Sequence, residues 1–168
     1  DGGGITPDVL SVADTLPNLI YYLRASDRFM DYCTNYRNSH ATIAPAKDFQ
    51  LTDADWEAFK QYITGSDFTY DRQTYKALQE LRRLARAEGY ADSSRAEFDA
   101  LEKKLSHDLS FDLEQNRPQI QHDLEAELAT RYYYKQGYYA SVLRHDKTLR
   151  EAIDLLRQPA HYQRILRK

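Results

Sequence analysis

Thr52-Asp53-Ala54-Asp55-Trp56-Glu57-Ala58-Phe59-Lys60-Gln61-Tyr62-Ile63-Thr64-Gly65 reads as a helix with both of its ends marked. Thr52 and Asp55 approximate a capping box, with the shorter acid standing where Glu or Gln is usual. Each side chain answers a backbone N–H that the first helical turn leaves without a partner. Trp56, Phe59 and Ile63 then recur at three- and four-residue steps, so they share one face and make a buried stripe. Gly65 stands where a helix commonly stops.

The same pattern continues in both directions. Upstream, Leu16, Leu19, Ile20 and Leu23 form one face, and Ser26 caps a second helix whose face is Phe29, Cys33 and Tyr36. Thr42 to Phe49 is a connection broken by Pro45. Downstream, a helix from about Asp71 to Glu88 presents Tyr75, Leu78, Leu81 or Arg82, and Ala85, and stops at Gly89. The next begins near Ser94 and carries Phe98, Leu101, Leu105 and Leu109 to about Gln115, where Pro118 ends or kinks it. A sixth presents Ile120, Leu124, Leu128 and Tyr132 up to Gly137. Asp146 caps a helix with Leu149, Ala152, Ile153 and Leu156, and Pro159 opens a short last one.

This reading predicts an all-α fold of seven or eight helices over residues 15–168. Leu19, Phe29, Trp56, Phe59, Leu101, Leu124 and Ile153 are expected in its core. Four of the eleven glycines and prolines fall in the first seven residues, which sets a short irregular start apart from the helical body. Residues 1 to about 12 are expected to be extended and poorly anchored.

Composition narrows the function. The hydrophobic and charged fractions, 42% and 29%, are those of a soluble globular domain. The net charge is −3 and the signs alternate along the chain, so no basic footprint for nucleic acid exists. No apolar run approaches the roughly 20 residues that cross a bilayer, and the sequence as given shows no signal segment. Cys33 is the single cysteine, so the fold relies on no internal disulfide.

Catalytic and metal chemistry finds little support. There is no Gly-x-Ser-x-Gly elbow, and Cys33 lies on an apolar helix face, the place of a small buried residue rather than a reactive thiol. His40, His107, His122, His145 and His161 form no His-Glu-x-x-His pair, and no cofactor or metal is expected. His122 and Glu125 share a helix face at three-residue spacing, but such pairs are ordinarily solvated. Gly2, Gly3 and Gly4 lack the following helix and Lys-Ser or Lys-Thr of a phosphate cradle; Ile5-Thr6-Pro7-Asp8-Val9 follows as an extended segment.

The densest aromatic cluster is Tyr132, Tyr133, Tyr134, Tyr138 and Tyr139, which encircles the end of the sixth helix and cannot all face one way. Two readings stand. The rings pack between neighbouring helices with hydroxyls on water or backbone carbonyls, or they form an interface, where tyrosine is enriched.

Asp1-Gly2-Gly3-Gly4-Ile5-Thr6-Pro7-Asp8-Val9 resembles a stretch near the end of the catalytic domain of carboxyl-terminal processing peptidases, or tail-specific proteases. Tyr36 with His40, Thr42-Ile43-Ala44-Pro45-Ala46, Asp48-Phe49, Leu51 with Asp53 and Asp55, and Arg131-Tyr132-Tyr133-Tyr134 with Gly137 are similar to the continuation in Bacteroidetes members of that family. The resemblance implies a periplasmic or cell-envelope serine endopeptidase with a serine and lysine pair and a peptide-binding PDZ domain. Residues 1–14 would then be the end of its catalytic domain and 15–168 a non-catalytic helical C-terminal domain, with both catalytic residues upstream. Its implied partners are the rest of the parent protease, that protease's protein or peptide substrates, and a second copy in a homo-oligomer. A stand-alone helical interaction module is the alternative.

Overall fold

The computed structural model describes residues 4–5, 7–11, 15–105 and 108–167. His107, most of the glycine-rich start (Asp1, Gly2 and Gly3) and residues 12–14 lie outside the described residues. The described residues form α-helices and no strands: α1 (Asn18–Ala25), α2 (Asp27–Ser39), α3 (Asp53–Thr64), α4 (Gln73–Ala87), α5 (Arg95–Leu105), α6 (Leu109–Gln115), α7 (Arg117–Val142), α8 (Lys147–Leu156) and α9 (Pro159–Leu166). The fold is all-α, as the periodicity requires.

The caps explain most boundaries. Ser26 Oγ accepts from Arg28 N at the start of α2, and the Thr52–Asp55 box is complete at the start of α3. Asp146 caps α8 through Leu149 N, Pro159 opens α9, and Gly89 supplies the positive φ of 81° that lets the chain leave α4. The expected fifth helix is in fact two. Asp108 accepts from Phe111 N at 2.7 Å and starts α6 afresh, so Leu109 does not continue the stripe of α5. Pro118 opens α7 at its first turn, where the missing N–H costs nothing, and the bend falls at Asn116.

The core sits where α1, α2, α3, α6 and α7 meet. Trp56, Phe59 and Ile63 of α3 are fully enclosed by Leu19, Phe29, Cys33, Leu113, Ile120, Leu124 and Leu128. Trp56 Nε1 donates to Glu114 Oε2 at 2.9 Å, and the Arg117 guanidinium lies 5.4 Å from its ring. Tyr32 packs edge-on to Phe59 and donates to the Asp55 carbonyl, tying α2 to α3.

Leu101 and Ile153 correct the expected core, being 41% and 38% exposed. Both lie on the apolar stripes of their helices, but α5 packs on α4 and α8 on α9, two hairpins carried on the main body. An apolar stripe sets which way a helix faces; it does not guarantee a second layer to cover it. Between α4 and α5, Arg82 takes the inward position that Leu81 could have held: it pairs with Asp99 and Glu102 and lies over the Phe98 ring, while Leu81 faces solvent. Residues 4–5 and 7–11 adopt no helix or strand and are exposed.

Candidate functional site

The tyrosine-rich segment lies where one helical arm of α7 ends and a second begins. At Tyr134 the backbone takes φ 57° and ψ −150°, outside the helical region, and the chain reverses inside α7. The two arms run back along each other. Gly137 lies against Ala129, Arg144 reaches Glu125, and His145 stacks on His122 with ring centroids 3.6 Å apart. Gly137, expected as a terminator, instead permits this approach: a Cβ there would come within 2.3 Å of the Ala129 carbonyl oxygen and 2.6 Å of Tyr133 Cβ.

The reversal divides the five tyrosines. Tyr132 and Tyr133 work inward, the Tyr132 hydroxyl donating to the His40 carbonyl while its ring lies under Arg37 at 4.3 Å. The Tyr133 hydroxyl reaches the carbonyls of Ile43 and Ala44 at 2.9 and 3.1 Å. His40 is itself stacked on Tyr36. Tyr134, Tyr138 and Tyr139 point outward; Tyr134 is 80% exposed, and Tyr138 and Tyr139 meet edge to face. Tyr134 stands at the turn itself, the hairpin tip, and Tyr138 borders an open groove that also includes Arg24, Met30, Asp123 and Glu127.

Below the tip lies a polar centre that sequence reasoning missed. Glu125 is 5% exposed rather than solvated; it accepts from Leu51 N at 3.0 Å and pairs with Arg144 at 2.8 Å. Arg144 also donates to the carbonyls of Lys47 and Phe49. One ion pair thus staples the 47–51 connection to both arms of the hairpin, and its burial makes it costly to break by removing one partner. Nothing local distinguishes Glu125 from a surface residue of an amphipathic helix, so no sequence signal marks it. Burial pushes the imidazole pKa of His122 and His145 down; for His145 the facing His122 and then Arg144 add to that effect.

Segments far apart in sequence therefore meet here: Tyr36 with His40, the 42–46 connection, Phe49, Leu51, and Arg131 through Gly137. Arg131 joins them, bridging Glu127, Thr34 Oγ1 and the Met30 carbonyl. The residues are used to hold the hairpin and its flanking connection together.

The reactive groups are set the other way from what nucleophilic chemistry needs. Cys33 is buried, which pushes its thiol up to about 12. Lys60 and Lys76 are raised by hydrogen bonds to Glu57 and Asp71, which favour the charged form that cannot serve as a base. Among the described residues, no three of His, Cys, Asp and Glu converge as metal ligands, and no helix is long and apolar enough to cross a membrane.

No curated protein and no solved structure matches the chain. Residues 19–156, from α1 through α8, match the family model described as "Probable PDZ-protease, C-terminal helical domain". The match takes in the five core helices, the connection stapled by Glu125 and Arg144, and the whole hairpin, so the protein belongs to this family of helical C-terminal domains of probable PDZ-proteases.

Proposed function

We propose that this chain is the non-catalytic helical C-terminal domain of a carboxyl-terminal processing serine peptidase, acting in the structure, assembly or substrate handling of that enzyme. The family match carries the reading. The disposition of side chains supports it: among the residues that resemble the peptidase family, Tyr132 and Tyr133 are spent on backbone carbonyls and Arg131 on an ion pair with Glu127, and among the described residues the Cys33 thiol is buried while Lys60 and Lys76 are held charged by carboxylates. A serine and lysine dyad belongs upstream, beyond a catalytic-domain end that residues 1–14 represent. The parent enzyme works in the periplasm or cell envelope. Tyr134, Tyr138 and Tyr139 are the contact residues for another body, because they are exposed while the hydroxyls of Tyr132 and Tyr133 are already spent on backbone carbonyls.

The test compares full-length enzyme with the isolated chain in a peptide-cleavage assay. Activity is expected only in the former, and serine-type proteolysis by the isolated chain would overturn the reading. Replacing Tyr134, Tyr138 and Tyr139 together by serine in the full-length enzyme is expected to change oligomeric mass or cleavage rate. Parental values for both would remove the tip as a contact surface.

A further inference from the structure

Helices α8 and α9 pack on each other, yet neither contains a buried residue. Leu149, Ala152, Ile153 and Leu156 gather on one side of α8, and Tyr162, Ile165 and Leu166 on one side of α9. Even after the two helices meet, Leu156 and Leu166 each remain 61% exposed. Exposed leucines scattered singly need no explanation, but clustered on one hairpin they form a face that water covers at a cost.

The N-terminal segment comes to this hairpin. The Ser11 and Thr148 hydroxyls lie 3.0 Å apart, which brings the segment to the first turn of α8, beside Leu149. The same segment carries Ile5, Val9 and Leu10, all exposed. Two parts of the chain separated by more than a hundred residues thus leave apolar side chains uncovered in one neighbourhood.

We infer that Ile5, Val9 and Leu10 and the apolar face of α8–α9 together form the seat on which the protease portion of the same polypeptide docks. This rests on the assignment of the chain as the C-terminal domain of a peptidase whose catalytic part precedes it. The connecting segment would deliver that body directly to the α8–α9 face, so docking is intramolecular and needs no free partner. The tether raises the effective concentration into the millimolar range for short linkers, enough for a modest apolar patch to stay occupied. A lipid surface fits less well: in α8 Lys147 and Arg150 are balanced by Glu151 and Asp154, and neither α8 nor α9 carries the Trp or Phe that interfacial helices bury.

The test uses the full-length protein with the photo-crosslinking residue p-benzoylphenylalanine in place of Leu156. Irradiation is expected to yield a crosslink within one chain to a peptide upstream of residue 1. Crosslinks confined to a second copy, to added anionic vesicles or to residues 4–167, or no crosslink at all, would overturn the proposal. A second variant, Leu156→Asp with Leu166→Asp in the full-length protein, is expected to speed hydrogen exchange in α8–α9 by roughly tenfold while α3 and α7 keep their protection. Unchanged exchange in α8–α9 would overturn it as well, and if α3 also loses protection the crosslink decides. If the polypeptide upstream encodes no protease, the functional assignment fails; if it does and the crosslinks miss it, only this docking surface fails.

Discussion

Replacing Gly137 with alanine tests the hairpin inside α7. In an ordinary helix interior this change stabilises by roughly 0.5–1 kcal/mol, because glycine loses more backbone freedom on folding. Here the added Cβ would stand 2.3 Å from the Ala129 carbonyl oxygen and 2.6 Å from Tyr133 Cβ, about 1 Å short of ordinary contact. Neither obstacle is the far end of a flexible side chain, so the arms themselves must part. Overpacking of this kind costs about 1–3 kcal/mol. A shift of that size also stretches the buried Glu125–Arg144 pair from its 2.8 Å contact, and losing a buried partner altogether costs about 3–5 kcal/mol. With part of that penalty incurred, the net effect is a destabilisation of about 2–4 kcal/mol. Urea unfolding followed by Trp56 fluorescence should show a lower midpoint at unchanged slope. The midpoint of thermal unfolding should fall by about 4–16 °C, at roughly 2–4 °C per kcal/mol for a chain of this size. A variant as stable as the parent, or more so, would refute the close approach of the two arms and with it the reversal at Tyr134.

Tyr134→Gly has the opposite sign: the positive φ is nearly strain-free for glycine and the lost ring is exposed, so a gain of about 1 kcal/mol is expected in the same denaturation assay. Trp56→Ala should cost about 3–5 kcal/mol from its fully enclosed site. Trp56→Phe should cost less, chiefly the indole hydrogen bond to Glu114, and it should let the Glu114 carboxyl, now held below its usual range first by that bond, titrate at higher pH by NMR. Because His122 and His145 are depressed in the folded state below the ordinary 6.5, the unfolded chain takes up protons first as pH falls. Stability should therefore be unaffected by these groups above pH 6.5 and decline below it, until the folded-state values are passed. His122→Gln with His145→Gln should flatten that decline in thermal scans between pH 7 and pH 5.

What was legible in the sequence is what local physics decides. Ser26, Thr52 with Asp55, and Asp146 satisfy backbone donors within three residues of themselves, so their helix starts are written in the chain and occur where expected. Asp108 carried the same signal ahead of Phe111, and reading it would have separated α5 from α6. The stripe of Trp56, Phe59 and Ile63 is the core it promised to be. The all-α class and the resemblance to processing peptidases, which agrees with the family match, needed nothing further.

Tertiary structure decided the remainder. Tyr134 turns the chain with no glycine or proline at that position, because Gly137 against Ala129 and Arg144 against Glu125 hold the arms together. Glu125 is buried only because residues 19 and 74 positions away come to its two oxygens. Tyr132 and Tyr133 are set apart from Tyr134, Tyr138 and Tyr139 by their hydroxyls' bonds to the carbonyls of His40, Ile43 and Ala44, although all five are the same residue type within one short stretch. Leu101 and Ile153 carry the same pattern as Leu124 yet stay exposed, since a stripe encodes one face of a contact and the partner that completes it must be supplied by the rest of the fold. Pairings within a turn or two of the chain are settled by spacing; those across tens of residues depend on which surfaces meet, and spacing alone does not encode that.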